Sequence, residues 1–128
     1  MSEASGETGG LAGAEPGWRA LCPLAAIPPG GAKGFPPAPG RFTGLFAVRR
    51  GERVFVYLNA CPHLGVSLDI VPDRFLAPGG ERIRCQTHGA EFRIEDGFCL
   101  KGPCAGASLT PVPSRVDGET VWIGPVPD

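Results

Sequence analysis

Two short segments concentrate the residue types that bind metals: Cys61-Pro62-His63-Leu64-Gly65 and Cys85-Gln86-Thr87-His88-Gly89. The chain has only two histidines, and each lies within three residues of a cysteine. Two thiols and two imidazoles in two loops are the donors that a tetrahedral S₂N₂ metal site requires. A ligand pair two or three residues apart can curl onto one centre only in a tight loop. Proline at 62 and glycines at 65 and 89 favour that shape. Backbone N–H groups of such loops are expected to point inward, where they donate to anionic sulfur.

Each pair sits just after an expected strand. Residues 42–48 and 54–58 are rich in aromatic and β-branched side chains, and Arg49-Arg50-Gly51-Glu52-Arg53 between them reads as a hairpin. Val54-Phe55-Val56-Tyr57 is apolar on both faces, which predicts a strand buried on both sides. Arg82-Ile83-Arg84 and Glu91-Phe92-Arg93-Ile94 alternate polar with apolar, as half-buried strands do. Glu95-Asp96-Gly97 is a turn leading to Phe98. Residues 112–116 and 120–123 form a last hairpin about Asp117-Gly118. Upstream, Trp18-Arg19-Ala20-Leu21 suits a first short strand and Leu24-Ala25-Ala26-Ile27 a single helical turn, with residues 30–40 a Pro/Gly-rich connector. With 20 glycines and 15 prolines spread along 128 residues, long helices have little room. A compact all-β domain follows. Residues 1–16 carry almost no large apolar side chain and are expected to be a flexible tail ahead of a domain over residues 17–125.

Twelve basic against 13 acidic groups leave no field strong enough for nucleic acid or an anionic membrane. The amino terminus lacks the basic start and apolar run of a secretory signal, and no stretch approaches the roughly 20 apolar residues that span a bilayer. A cytoplasmic protein is expected. Five cysteines in a reducing compartment then point to metal or redox chemistry before a disulfide framework.

The spacing C-x-H, then C-x-x-H about twenty residues on, resembles the Rieske family, as do Gly89-Ala90-x-Phe92, Gly97 and Gly102-Pro103-Cys104. The resemblance covers most of residues 18–124. It implies three small antiparallel sheets with both ligand loops at one tip, and one [2Fe–2S] cluster per chain. Cys61 and Cys85 would bind one iron as thiolates, and His63 and His88 would bind the other through ring nitrogens. Gly102-Pro103 would form the loop that covers the cluster. Zinc also suits Cys₂His₂, but zinc modules usually begin with a C-x₂₋₄-C knuckle, whereas both pairs here are mixed.

Replacing two thiolates by imidazoles makes the oxidised cluster near neutral and raises its potential to within about −150 to +300 mV. High-potential relatives carry a disulfide between the ligand loops, and hydroxyl donors from a serine and a tyrosine. The matching positions here are Val66 and Thr87, then Ala90 and Phe92, so a potential at the low end is expected. That resembles small Rieske-type ferredoxins, which carry electrons from a flavin- or iron–sulfur-dependent reductase to a terminal oxygenase or reductase and catalyse nothing themselves. An accessory role like that of a nitrite reductase small subunit is the alternative, and a monomer with transient partners is expected. A Rieske oxygenase catalytic subunit would need a further two histidines and a carboxylate for mononuclear iron, and both histidines are already used.

Of the remaining cysteines, Cys22 reads as structural, and Cys99 and Cys104 as free, partly buried packing residues before cluster-adjacent thiols or a disulfide. Trp18 and Trp122 read as core residues. Leu64, Val66 and Pro103 suit either a docking rim or a shield over the cluster. Pro72-Asp73-Arg74-Phe75-Leu76-Ala77-Pro78-Gly79-Gly80 lengthens the stretch between the ligand pairs and reads as an extra turn beside the cluster.

Overall fold

The computed structural model describes residues 17–62, 67–69, 71–87 and 89–127. Ten strands form three antiparallel sheets. The central sheet is β2 (Ala32–Phe35), β3 (Leu45–Arg50), β4 (Arg53–Leu58) and β8 (Pro111–Val112), in that spatial order. On one side lies β1 (Arg19–Pro23) with β10 (Thr120–Ile123) and β9 (Ser114–Asp117). On the other lies β5 (Arg82–Arg84) with β6 (Glu91–Arg93) and β7 (Cys99–Lys101). The only helical segment among the described residues is a 3₁₀ turn at Leu24–Ala26, matching the expected helical turn.

Alternation along β3 and β4 explains the layering. Successive side chains of a strand point to opposite faces. Phe46, Val48, Phe55 and Tyr57 accordingly pack with Phe75, Ile83, Phe92 and Ile94 in one core. Leu45, Ala47, Val54, Val56 and Leu58 pack with Leu24, Ile27, Val121 and Ile123 in a second. The two-sided burial expected of β4 is met. Its hairpin with β3 runs in register from Leu45 opposite Leu58 to Arg50 opposite Arg53, tighter than the five-residue connection expected.

The structure departs from sequence expectation in four places. The connector over residues 30–40 contains β2, an edge strand without a β-branched residue, which pairs with β3 from Ala32 opposite Val48 to Phe35 opposite Leu45. At Gly34 a Cβ would stand 3.1 Å from the Phe75 ring, so the absent side chain makes room for that ring. The strand expected over 112–116 is split at Pro113: β8 pairs with β4 while β9 pairs with β10. Proline has no N–H to give a ladder, so the chain changes sheets there. Neither tryptophan belongs to a core: Trp18 is half-buried, lying against Gly124 with the Arg115 guanidinium 4.7 Å from its ring, and Trp122 is half-buried too. Finally, residues 72–80 are more than a surface turn. Phe75 is fully buried and stacks on Phe46 at 4.5 Å between centroids and 6° between planes, and Leu76 bridges to Ile83.

Candidate metal centre

Cys61 follows β4 by three residues and Cys85 follows β5 directly, and both thiols are fully buried. They share one apolar cluster with Ala90, Phe92, Cys99 and Cys104. Two positions 24 residues apart in sequence thus belong to one core. His63 and His88, with Leu64 and Val66, lie outside the described residues. Among the described residues no set of three or more His, Cys, Asp or Glu is placed to hold a metal ion.

Hydrogen bonds close each loop at its base. Asn59 ends the first: its backbone N–H donates to the Gly44 carbonyl at 2.9 Å, and its Oδ1 accepts from the Leu68 N–H at 2.8 Å. Its Nδ2 donates to Asp69 Oδ1 at 3.1 Å, so one side chain clamps both residues that follow the loop. In the second loop the Cys85 N–H donates to the Ala90 carbonyl and the Gly89 N–H to the Cys85 carbonyl, each at 2.8 Å. Gly89 takes φ +73°, a conformation that glycine enters without a Cβ penalty. A bond from the Gln86 N–H to the Leu68 carbonyl, 2.8 Å, ties the two loops together. The N–H groups of Cys85, Gln86 and Gly89 are therefore committed to carbonyls, and the expectation of inward donors is not met at these three.

The third loop, residues 99–107, folds over the second. Gly102 adopts φ +106°, and a Cβ on it would stand 2.7 Å from the Ala90 Cα. Only glycine allows that approach. Pro103 beyond it is exposed, whereas Cys104 is buried. The Cys104 Sγ lies 3.2 Å from Cys99 Sγ. Burial first, then Cys99 and Cys61, push the Cys104 thiol up to about 12. Cys22 stands apart in the other core, its thiol raised by burial against a smaller lowering from Lys33. No disulfide joins any of the five cysteines, all of which are described.

The residues present fit a [2Fe–2S] group. Two fully buried thiols in a water-poor cluster suit iron and inorganic sulfide, which water would otherwise attack. The Nε of Arg84, adjacent to Cys85, is buried without a hydrogen-bond partner, while the same guanidinium lies beside Gly89 of the second loop. An unpaired buried N–H donor at that position suits an anionic neighbour. Ala90 and Phe92, fully buried, bring no hydroxyl to the site.

Sequence reasoning picked out Cys61 and Cys85, both buried, and the Gly102-Pro103 loop, whose glycine lies against Ala90. It missed Asn59 and Asp69, whose signal was an amide directly after a strand with a carboxylate ten residues on. It read Cys99 and Cys104 as free packing thiols, which they are, with a disulfide as the lesser alternative; their approach to 3.2 Å depends on the closure of the third loop.

Among curated proteins no relative matches. Solved structures do. A chain of the complex of reduced oxygenase and oxidized ferredoxin in carbazole 1,9a-dioxygenase aligns with a TM-score of 0.68 and 22% identity, over 86% of this chain and 94% of that one. The ferredoxin of carbazole 1,9a-dioxygenase from Nocardioides aromaticivorans IC177 aligns with 0.67 and 21%, over 85% and 98%. The terminal oxygenase of carbazole 1,9a-dioxygenase from Novosphingobium sp. KA1 matches over 87% of this chain but 30% of its own, with a TM-score of 0.67 and 19% identity. At these identities the likeness establishes the fold. Against family models, residues 17–115 match the Rieske [2Fe-2S] domain, whose cofactor is a [2Fe–2S] cluster. That match spans most of the molecule, including both cysteine–histidine motifs and the covering loop: the chain belongs to the Rieske [2Fe-2S] domain family.

Proposed function

We propose that this chain is a one-electron carrier working between a reductase and a terminal oxidoreductase such as an oxygenase, with Cys61 and Cys85 on one iron and His63 and His88 on the other. The observation that carries this reading is the convergence of Cys61 and Cys85, buried together on loops that the Gln86 to Leu68 hydrogen bond ties in place. The near-whole alignment with a chain of an oxygenase–ferredoxin complex supports an oxygenase as acceptor. When bound, the cluster supplies a reversible one-electron couple. The protein's part is to hold the thiolates in a dry, rigid setting, so that little has to reorganise when charge arrives.

The domain comprises residues 17–125 and works as a cytoplasmic monomer; the expected tail over residues 1–16 lies outside the described residues. Among the described residues no helix is long and apolar enough to cross a membrane. With a net charge of −1, docking is short-range and apolar, and depends weakly on salt. Without hydroxyl donors from positions 90 and 92, the reduced cluster is stabilised less and the potential is low.

Anaerobically purified protein is expected to contain two irons and two labile sulfides per chain and, when reduced, to give the low-average-g resonance of mixed nitrogen–sulfur ligation. Cys61→Ser, Cys85→Ser, His63→Ala and His88→Ala should each lose it. Colourless protein holding zinc would overturn the assignment, and a potential above about +100 mV would overturn its placement within the family range. Failure to cycle between a flavin reductase and a dye acceptor would favour an accessory subunit instead.

A further inference from the structure

Cys99 and Cys104 are a second sulfur pair with no part in the ligand set. Their Sγ atoms stand 3.2 Å apart, and both residues are buried. The backbone between them is latched. Cys99 donates its N–H to the Ala107 carbonyl at 2.8 Å and accepts at its own carbonyl from the Gly106 N–H at 3.3 Å. Within the loop, the Ala105 N–H bonds the Gly102 carbonyl at 3.1 Å and the Ala107 N–H bonds the Cys104 carbonyl at 2.9 Å. The two sulfurs therefore face each other across a closed loop. A disulfide would shorten that separation to about 2.05 Å.

We propose that Cys99 and Cys104 form a reversible dithiol–disulfide pair. The oxidant is a low-molecular-weight disulfide, RSSR. Cys104, the slightly more exposed of the two at 7% against 1%, attacks one sulfur of RSSR as its thiolate. A Cys104–SR bond forms, the R–S–S–R bond breaks, and the expelled thiolate takes up the proton that Cys104 lost. Cys99 then attacks the Cys104 sulfur in the same manner. The Cys99 to Cys104 bond forms, the bond to SR breaks, and the second thiolate takes the proton of Cys99. Two electrons pass from the pair to RSSR, giving two RSH, and the electron count on iron is unchanged. Excess RSH reverses the sequence.

Buried thiols exchange slowly, so the test is read at equilibrium. The full chain with its cluster is held anaerobically in glutathione buffers of rising oxidised fraction, then acid-quenched, alkylated and mapped by mass. The expected result is loss of both alkylatable thiols at 99 and 104 together, with a mass lower by two hydrogens, while Cys22 stays alkylatable. Cys99→Ala should stop at a glutathione adduct on Cys104, and Cys104→Ala should leave Cys99 alkylatable in every buffer. Stable glutathione adducts on the wild-type chain, or thiols unchanged in fully oxidised buffer, would overturn the pair. Protein without iron or sulfide would instead count against the ligand assignment, and mapping the same chain without a cluster would still decide the pair.

Discussion

Tyr57 joins the central sheet to the sheet that carries the second cysteine. Its hydroxyl donates to the Ile94 carbonyl at 2.5 Å, and its ring occupies space that a Cβ on Gly97 would enter at 2.9 Å. Tyr57→Phe removes the donor and leaves a buried carbonyl unpaired, which costs about 1–3 kcal/mol. Urea unfolding should show that loss while the visible spectrum of the cluster is unchanged. The phenol's pKa is raised by burial, then by Asp96 and Glu95. A raised pKa means that the folded state favours the protonated form, so this stability is complete below the unfolded value of about 10 and fades as pH rises toward the folded one. The gap in stability between wild type and Tyr57→Phe should therefore shrink above about pH 10.

At the scale of elements, two segments have consequences that composition does not announce. Residues 72–80 look like surface chain, yet Phe75 fills the cysteine-bearing core against Phe46, and the Arg84 N–H bonds the Phe75 carbonyl at 2.7 Å. Phe75→Ala should cost about 3–5 kcal/mol in a denaturant titration, a large share of a small domain's stability. Shortening the exposed tip at Gly79-Gly80 should cost far less. In the covering loop, Gly102→Ala combines a positive φ with a clash on Ala90, so a loss of about 1–3 kcal/mol is expected, together with faster cluster loss to a chelator. Strands whose alternation or β-branching is strong (β3, β4, β5, β6 and the β9–β10 hairpin) were legible because local pattern and tertiary burial agree there. β2 was not, because Ala-Lys-Gly-Phe becomes a strand only through its partner β3. The switch of sheets at Pro113 was missed for a similar reason, since a proline inside an apolar run does not say which neighbour each half will join. Of the site, the residue types and spacing of Cys61 and Cys85 were plain. The Asn59 clamp and the Cys99 to Cys104 approach depend on how loops close, which no local pattern encodes.

The described residues form three layers, with the central sheet serving two cores at once. The cluster would add covalent ties between the loop after β4 and the loop after β5, and a group bound only by the folded state stabilises that state. Removing iron with a chelator under reducing conditions should lower the melting temperature, with hydrogen exchange rising first in β5, β6 and β7. The layer of β1, β9 and β10, which shares no core with the cysteine loops, should keep its protection longest.

Because neighbouring residues of β4 serve opposite layers, this strand has no neutral face. A single residue inserted at the Gly51-Glu52 turn would slide its partnership with β3 by one position. Tyr57 would then turn its hydroxyl into a compartment of Leu24, Ile27 and Ile123 side chains, and Val56 would stand where Ile94 offers its carbonyl. The length of that one turn thus keeps the oily half and the metal-bearing half from trading contents.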